Sequence, residues 1–554
     1  MGLILFLRKV IKKKYCEYVC VFMKEKYYFK PNIQAEPLVN LWYAWTYLIS
    51  PATASMVLTN AQNQIMQSYI EQPELHEDAV KRPEMLGGPF IDFETRQVNV
   101  IKDLKEKTEE QCRHLFDLAS DIRRLKLILK TVANGHSLEP IYAMIPASLK
   151  GLVELLYDMD NKPSFRFIES LLYQSNYNIS KFESVLLTEI NCDYRPFALS
   201  TPRIPKSHQI HLKIPFSSSS YDTLFKAKTY PLSEDEIDIF LASLPEKIDR
   251  DIFLSLFTEN EPLQSKINKP QSGNVRIRYF GHACVLIESD QCSILIDPVL
   301  SYKYQTDLER FTYEDLPKQI DYLMVTHAHL DHILIEHLIQ LRHKVKKVIV
   351  PKSGTCFIQD PSLKLFFEHL GFKDVIEIGD MEKIEIPGGN IIGIPFLGEH
   401  GDLNIQTKKA HLVQISGKSI LCAADSNNIS HELYQRIQGI IGDIDVIFIG
   451  MECNGAPLSW VYGSLYTDKL PRSMDQSRRL DGSNCEKALK LVECFNCKQV
   501  YIYAMGQETW LNYVMSVKYT SDSKPIIESN KLISECKSRG IKAKRLLNKE
   551  EINI

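Results

Sequence analysis

The segment VTHAHLDHI, residues 325–333, brings three histidines and one aspartate together within six positions. His327 and His329 are two residues apart, and this spacing lets an extended loop direct both imidazoles at one metal ion. Asp331 and His332 follow closely enough to hold a second ion beside the first. Burying imidazoles and a carboxylate this close together without a cation between them is unfavourable. The segment therefore predicts a site for two metal ions.

Further donor residues lie later in the chain. Asp425 closes the apolar segment SILCAAD and is placed to bridge two ions. In the segment GEHGD, Glu399 and His400 precede Asp425 by 26 and 25 residues, and this spacing alone leaves open which of the two is a ligand. His431 is the only histidine after Asp425, and it falls in a predicted helix where it is poorly placed to bind an ion.

If Glu399 is the ligand, the donor set is rich in oxygen and leaves coordination positions open. Carboxylate and imidazole ligands with vacant positions suit iron, which uses the vacancies to bind dioxygen. Zinc hydrolases instead fill most positions with nitrogen and keep one water as the nucleophile. The donors therefore favour iron, with two zinc ions as the alternative.

The elements that must position these donors are short apolar strands that follow a compositional change near residue 270. The segments VRIRYFG, CVLIES, SILID, YLMVT and KVIVP succeed one another with short turns. Helical segments such as ILIEHLIQLRHKV fall between the later strands, so we expect sheets covered by helices in an α/β sandwich. Thr326 closes the strand YLMVT, and this places the metal motif on the loop that leaves a strand.

The first 270 residues predict a separate domain that is largely helical or mixed α/β. The segments LFDLASDIRRLKLILKTV and SLKGLVELLYDMD both show helical spacing of apolar residues, and Ser233 with Glu236 forms a predicted capping box. No charged side chain occurs between Pro37 and Ile70. This stretch is long enough to span a bilayer, but its polar residues favour a buried helix or an interface rich in tryptophan and tyrosine.

Composition excludes some functional classes. With 66 basic and 69 acidic residues, the chain has a formal charge of −3 and no overall field that would attract nucleic acid. The N-terminal segment MGLILFLRKVIKKKYCEYVC is apolar first and basic afterwards, the reverse of a secretory signal. Together with scattered cysteines, this order predicts a cytoplasmic protein that has no membrane anchor.

The motif THAHLDH resembles the H-x-H-x-D-H signature of the metallo-β-lactamase superfamily. GHACVLIES, ILIDP and CAAD agree with the same superfamily, and the resemblance extends from about Val275 to the C-terminus. It implies an αββα sandwich over residues 271–554, in which Asp297 braces the motif loop. Hydrolases of this superfamily add a last histidine near the C-terminus, and this chain lacks it.

The glutamate 26 residues before Asp425, the missing last histidine and the long N-terminal domain make the chain similar to a narrower family. These are the metallo-β-lactamase-fold di-iron β-hydroxylases of the chloramphenicol-pathway type. The resemblance implies that Glu399, rather than His400, is a ligand, and that Glu399 and Asp425 are the catalytic residues. The two ferrous ions would be held by His327, His329, Asp331, His332, Glu399 and Asp425.

The same resemblance implies a substrate and partners. Dioxygen would hydroxylate the β-carbon of an amino acid that is held as a thioester on a peptidyl carrier domain of a nonribosomal peptide synthetase. Electrons would come from an external reductase, because the chain has no flavin or ferredoxin motif. The N-terminal domain would dock the carrier and form a homodimer.

Several residues are expected to contact the metal ligands or the substrate. These are Asp297, His282, His400, Glu452, Trp460 and Tyr462. The last three belong to the long segment Gly450–Asn484, in which Arg472, Arg478 and Arg479 could form a positive rim for a phosphate.

Two other functions remain open from the sequence. A zinc hydrolase of the same fold, cleaving a lactone, thioester or phosphodiester, would be favoured if His400 faced the ions. A scaffold protein without activity is disfavoured, because six candidate ligands are intact.

Overall fold

The computed structural model describes residues 26–262, 268–354 and 356–554. The N-terminal segment that differs from a secretory signal lies outside these ranges. The N-terminal part is a mixed α/β domain, and its strands are β1 (Tyr28–Phe29), β2 (Ile33–Val39), β3 (Trp42–Tyr43), β4 (Val153–Tyr157), β5 (Pro163–Phe167), β6 (Glu183–Glu189), β7 (Ile210–Leu212) and β8 (Phe257–Thr258). Four of them form an antiparallel sheet in the order β3-β2-β6-β7.

Helices fill the rest of the N-terminal domain. They are Thr46–Ile49, Pro51–Val57, Asn63–Glu71, Pro73–Ala79, Val98–Gln111, Arg113–Val132, Glu169–Tyr173, Ser219–Lys226, Glu234–Ala242 and Arg250–Leu254, with a π-helical turn at Leu58–Gln62. The predicted long helix is confirmed, because Arg113–Val132 buries its apolar side. The capping box between Ser233 and Glu236 is also confirmed.

The uncharged stretch between Pro37 and Ile70 lies inside the protein. Trp42, Tyr43 and Tyr47 are each 1% exposed and Trp45 is 5% exposed, so these rings are core residues. Among the described residues, no helix has both the length and the apolar character needed to cross a bilayer.

One predicted helix is wrong. The segment SLKGLVELLYDMD contains β4, which pairs with β5 as an antiparallel hairpin. Val153 and Leu155 are buried while Glu154 between them is exposed, so the chain follows the two-residue period of a strand. The neighbouring apolar residues Leu152 and Leu156 give the segment a spacing that resembles that of a helix.

The C-terminal part is an αββα sandwich, as predicted. Its strands are β9 (Arg276–Gly281), β10 (Cys284–Glu288), β11 (Ser293–Ile296), β12 (Ile320–Met324), β13 (Val345–Pro351), β14 (Val375–Ile378), β15 (Lys383–Ile386), β16 (Gly389–Ile394), β17 (Ala410–Ile415), β18 (Lys418–Cys422), β19 (Val446–Gly450), β20 (Gln499–Tyr503), β21 (Lys542–Arg545) and β22 (Glu550–Asn553). They form two seven-stranded sheets, in the orders β14-β13-β12-β11-β10-β9-β22 and β15-β16-β17-β18-β19-β20-β21.

Alternation along the strands divides the core of the sandwich. Val285 and Ile287 of β10 point between the two sheets, whereas Leu286 points to the outer face. The helices of this part are Ile335–Leu341, Leu363–His369, His431–Ile441, Ser459–Tyr462, Arg472–Ser477, Cys485–Cys494, Asn512–Met515 and Lys524–Ser538. The outer face of the first sheet belongs to the same apolar cluster as the N-terminal domain, so the two parts share one core. A division near residue 270 stays a prediction.

A buried ion pair joins the two parts directly after the metal motif. Glu336 is 0% exposed, and its Oε2 accepts hydrogen bonds from Arg195 Nη1 at 2.8 Å and from Tyr43 Oη at 2.8 Å. Its Oε1 accepts a hydrogen bond from Tyr302 Oη at 2.5 Å. Because burial and these partners satisfy both carboxylate oxygens, the helix that follows the motif is fixed to the N-terminal domain.

Replacing Glu336 by glutamine should destabilise the protein by about 3 to 5 kcal/mol, because buried Arg195 would lose its nearest counter-charge and keep only Glu36, at 3.8 Å. Urea unfolding followed by tryptophan fluorescence measures the change. The control is Asp238→Asn, which removes a partner of the exposed Arg250 and should change stability much less. Equal effects of the two substitutions would contradict a structural role for the buried pair.

Candidate metal centre

The donor residues lie at strand ends where the backbone adopts uncommon conformations. Five non-glycine residues around the centre have positive φ angles: His282 (48°), Asp297 (44°), Glu399 (66°), Ala424 (50°) and Ala504 (52°). Such residues are unfavourable in isolation and persist where surrounding contacts hold them, often at functional sites. The strand ends therefore turn sharply to bring their side chains to one point.

Asp297 holds the motif loop in place. Its Oδ1 accepts the backbone N–H of Thr326 at 2.8 Å, and its Oδ2 accepts the hydroxyl of Thr326 at 2.7 Å. The same Oδ2 lies 2.8 Å from Nδ1 of His332. A carboxylate in this position fixes the proton on Nδ1, so Nε2 of His332 is the nitrogen left for an ion.

Three groups of donors converge within 4.8 Å of one another: His327, His329 and Glu399; His327, His332 and Asp425; His282, Asp331 and His332. Nε2 of His327 lies 3.4 Å from Oε2 of Glu399 and 3.9 Å from Oδ2 of Asp425. Nε2 of His332 lies 2.9 Å from the same Asp425 oxygen. Asp425 thus lies between the two ends of the motif.

His282 orients Asp331. Nδ1 of His282 accepts the backbone N–H of Gly506 at 3.1 Å, so its proton is on Nε2, which donates to Asp331 Oδ2 at 3.0 Å. Gly506 belongs to VYIYAMGQE, a strand end near the C-terminus that carries no histidine. Here that strand end supplies a backbone donor, and the neighbouring Glu508 accepts the hydroxyl of Tyr279.

The charges of the centre are strongly coupled. Burial favours neutral imidazole, yet the carboxylates of Asp425, Asp331 and Asp297 raise the pKa of His332 well above its usual value. Although burial favours the neutral carboxyl, nearby His327 and His329 hold the pKa of Glu399 well below its usual range. Positive charge between these residues is therefore stabilising, and either protons or metal ions can supply it.

The donors fit metal ions. Nε2 of His327, Oε2 of Glu399 and Oδ1 of Asp425 are buried and make no hydrogen bond within the described part of the chain. Buried polar atoms are nearly always paired, and here the unpaired ones converge. Three imidazoles and three carboxylates form a mixed nitrogen and oxygen set of the kind that iron accepts.

His400 lies beside the donor groups but belongs to none of them. Its Nδ1 lies 2.8 Å from the hydroxyl of Tyr462, which also lies 2.8 Å from Nε2 of His329. Burial lowers the pKa of His400 well below its usual value, so its ring is neutral. Glu399, in contrast, contacts Nδ1 of His329 directly. Nε2 of His400 is also buried without a hydrogen bond among the described residues, and it lies 3.3 Å from Oε2 of Glu399. Glu399 as the ligand instead of His400 therefore stays a prediction, favoured by the donor groups.

A cavity of about 360 Å³, called here the metal cavity, opens beside His329, Asp331, Glu399 and Asp425. Its other walls include Trp45, Leu86, Leu330, Glu452, Trp460 and Val461. The carboxylate of Glu452 makes no hydrogen bond or ion pair among the described residues. Burial, followed by the charges of Asp425 and Asp331, raises the pKa of Glu452 well above its usual value.

The long segment Gly450–Asn484 contributes to the cavity only in part. Of its arginines, Arg479 lines the metal cavity. Nε of Arg478 donates to the carbonyl of Gly401 at 2.7 Å and so supports the segment that carries Glu399. Arg472 is exposed at the start of a helix and does not line the metal cavity. His431 begins the helix His431–Ile441 and joins no donor group.

The sequence did not reveal that the N-terminal domain helps to build this site. Trp45, Leu86 and Leu199 line the metal cavity, and the hydroxyl of Thr46 donates to the carbonyl of Ala328 inside the metal motif at 2.6 Å. The uncharged aromatic stretch was the available signal, but nothing in its spacing indicates which surface it covers.

Known proteins share both parts of the chain. A family model described as the diiron non-heme β-hydroxylase N-terminal domain matches residues 28–262, and a β-lactamase superfamily domain matches residues 276–452. The 4-amino-L-phenylalanyl-(CmlP-peptidyl-carrier-protein) 3-hydroxylase of Streptomyces venezuelae is 37% identical over 94% of this chain and 98% of that enzyme. The chain belongs to the diiron non-heme β-hydroxylase family.

Solved structures agree with this membership. The crystal structure of CmlA, a diiron β-hydroxylase from Streptomyces venezuelae, has a TM-score of 0.90 at 36% identity and covers 96% of this chain and 100% of that one. A metal-dependent hydrolase of Exiguobacterium is 34% identical, but over only 18% of this chain and 37% of that protein. The predicted family, fold class and di-iron cofactor are therefore confirmed.

Glu399→Ala should reduce bound iron from about two to about one per chain, because one ion would lose a carboxylate ligand. His400→Ala should keep both irons, since His400 belongs to none of the donor groups. Iron content by elemental analysis, with circular dichroism to confirm folding, distinguishes the two variants. Retention of both irons in the first variant and loss in the second would reverse the assignment.

Proposed function

We propose that this protein is an O2-dependent non-haem di-iron monooxygenase. Its substrate is an amino acid held as a thioester on a peptidyl carrier domain of a nonribosomal peptide synthetase, and it hydroxylates the β-carbon. One observation carries the proposal: an oxygen-rich donor set without a last histidine lies in a chain that resembles a carrier-dependent 3-hydroxylase over nearly its whole length. The zinc hydrolase reading gains no support from this donor set.

The proposed ligands divide between two ions. His327, His329 and Glu399 would hold one, Asp331 and His332 the other, and Asp425 would bridge them. Asp297 and His282 keep His332 and Asp331 in their binding orientations through the hydrogen bonds described above. Glu399 and Asp425 are the proposed catalytic residues, because both line the metal cavity beside the reacting atoms.

The bound irons, when ferrous, supply the electrons that activate dioxygen. For each turnover, one O2, two electrons and two protons convert a C–H bond to C–OH and form one water. Since the chain has no flavin or ferredoxin motif, the electrons come from an external reductase or small reductant. Apolar walls such as Leu330 and Val461 exclude bulk water from the reacting carbon.

Glu452 is placed to bind the α-ammonium group of the aminoacyl substrate. It lines the metal cavity beside Asp425, and within the described residues its carboxylate has no partner. An ammonium ion would supply the missing counter-charge, and the β-carbon is one bond from the α-carbon that carries it. Pairing with Glu452 would therefore hold the β-carbon at the metal side of the cavity.

The remaining partners extend the proposal. The N-terminal domain would provide the surface that docks the carrier and joins two copies into a homodimer. A cytoplasmic location would place the enzyme with the synthetase and with reductants.

The first experiment is elemental analysis of protein purified from iron- and zinc-supplemented cultures, followed by an assay with aminoacyl-loaded carrier domains. About two irons per chain should be bound. Mass spectrometry should show one added oxygen atom that comes from ¹⁸O2 and not from water. Tightly bound zinc from both cultures, with hydrolysis of the thioester, would refute the oxygenase.

Glu452→Gln should lower kcat/KM roughly 30-fold while both irons stay bound, because a charge-assisted hydrogen bond to the substrate is lost. A substrate that lacks the α-amino group should be hydroxylated equally by the variant and the native enzyme. Glu432→Gln, at an exposed helix position, is the matched control and should have no effect. An equal loss with both substrates would show that Glu452 does not bind the ammonium group.

A further inference from the structure

Two larger cavities adjoin the metal cavity. One, of about 750 Å³, is called here the outer cavity, and the other, of about 630 Å³, is called the aromatic cavity. Gly87 lines all three cavities, while Leu86, Ser516 and Val517 line both the outer and the metal cavities. Trp45, Leu199 and Trp460 are shared between the aromatic and metal cavities. A tethered substrate thus has two routes to the ions.

A strap from the N-terminal domain, residues 85–90, separates the two routes. The indole N–H of Trp460 donates to the carbonyl of Gly87 at 2.9 Å. Gly87 has a φ of +74°, and a Cβ atom there would lie 3.3 Å from Cβ of Ser516 and 3.5 Å from the ring of Trp460. Only glycine therefore fits easily where the strap crosses the metal domain.

Four acidic and four basic side chains line the outer cavity. Its acidic residues all have partners: Glu77 with Arg96, Asp92 with Tyr194, Glu94 with Lys206 and Asp193 with Arg310. Its arginines are also paired, since Arg195 binds Glu336. Lys81 and Lys518 are exposed, and neither makes a hydrogen bond or ion pair within the described ranges. An incoming anion would therefore meet the ammonium groups of Lys81, which also lies in the field of Glu77, and of Lys518. Asp92 keeps its negative charge, because its partner Tyr194 is neutral.

The aromatic cavity offers a different environment. Its walls combine aromatic, amide and small side chains, including Trp42, Phe90, Phe197, Asn60 and Gln64. No acidic or basic side chain is among its lining residues. A phosphate placed there would lose hydration without gaining a counter-charge, which is unfavourable.

We propose that the outer cavity binds the phosphopantetheine arm of the carrier domain. Lys81 and Lys518 pair with the phosphodiester at its mouth, and the thioester end enters the metal cavity along Leu86 and Val517, which line both cavities. This inference rests on the proposed function and assigns the route by which its substrate enters. The amide of Asn512, which has no hydrogen-bond partner among the described residues, is available to the amides of the arm.

The lysines are tested with two inhibitors that differ only in the phosphate. Phosphopantetheine and pantetheine compete with the loaded carrier in the hydroxylation assay. Lys81→Glu/Lys518→Glu should raise the inhibition constant of phosphopantetheine about tenfold at low salt and leave that of pantetheine unchanged. Lys102→Glu/Lys107→Glu, which reverses two exposed charges on the helix Val98–Gln111, is the control for net charge.

The route is tested by narrowing each cavity in turn. Asn512→Trp narrows the outer cavity and Gln64→Trp narrows the aromatic cavity, and both positions are exposed and helical. Hydroxylation of the loaded carrier should fall at least about tenfold in the first variant and persist in the second. Iron content should be native in both, which shows that each variant has folded around its centre.

Several outcomes would overturn the inference. They are inhibition by neither compound, equal effects of the lysine variant on both, and loss of activity in Gln64→Trp with retention in Asn512→Trp. The last result would assign the arm to the aromatic cavity. Absence of hydroxylation in the unmodified protein would instead refute the proposed function, so the two failures are distinguishable.

Discussion

The metal centre depends on one constraint: a buried group of three imidazoles and three carboxylates must contain positive charge. The raised pKa of His332 and the depressed pKa of Glu399 are two expressions of that constraint. Such a group is stable only where surrounding atoms fix its geometry, and Asp297 and His282 do this from behind the donors. The strained strand ends, the sandwich and the covering domain all serve to hold these few atoms together.

The loss of one histidine changes the character of the centre. At the strand end after Tyr503, the backbone N–H of Gly506 donates to His282, which in turn donates to Asp331. Glu399 belongs to a donor group, and His400 is linked to His329 through the hydroxyl of Tyr462. With Glu399 as a ligand, oxygen would supply more of the coordination, and four of the donors line the metal cavity.

The sequence predicted what is local and periodic. The metal motif, Asp425, the strand pattern of the sandwich and the helix Arg113–Val132 could all be read from spacing. Spacing alone does not distinguish Glu399 from His400 as the ligand, because the two residues are adjacent and differ mainly in where their side chains point. The choice of Glu399 therefore depended on family resemblance. The sequence did not predict that Trp45 and the strap line the metal cavity. Contacts between residues hundreds of positions apart leave no periodic signal in a sequence. The hairpin at Val153 was missed because neighbouring apolar residues concealed its alternation.

Since the helix after the metal motif is fixed to the N-terminal domain through Glu336, the two parts cannot be exchanged like independent modules. Recombining the first half of one relative with the second half of another would interrupt a shared apolar core and a buried ion pair. Chimeric enzymes intended for new assembly lines therefore need the whole Arg195, Tyr43 and Glu336 cluster from one parent. The N-terminal domain and the order of the metal loop are therefore inherited together.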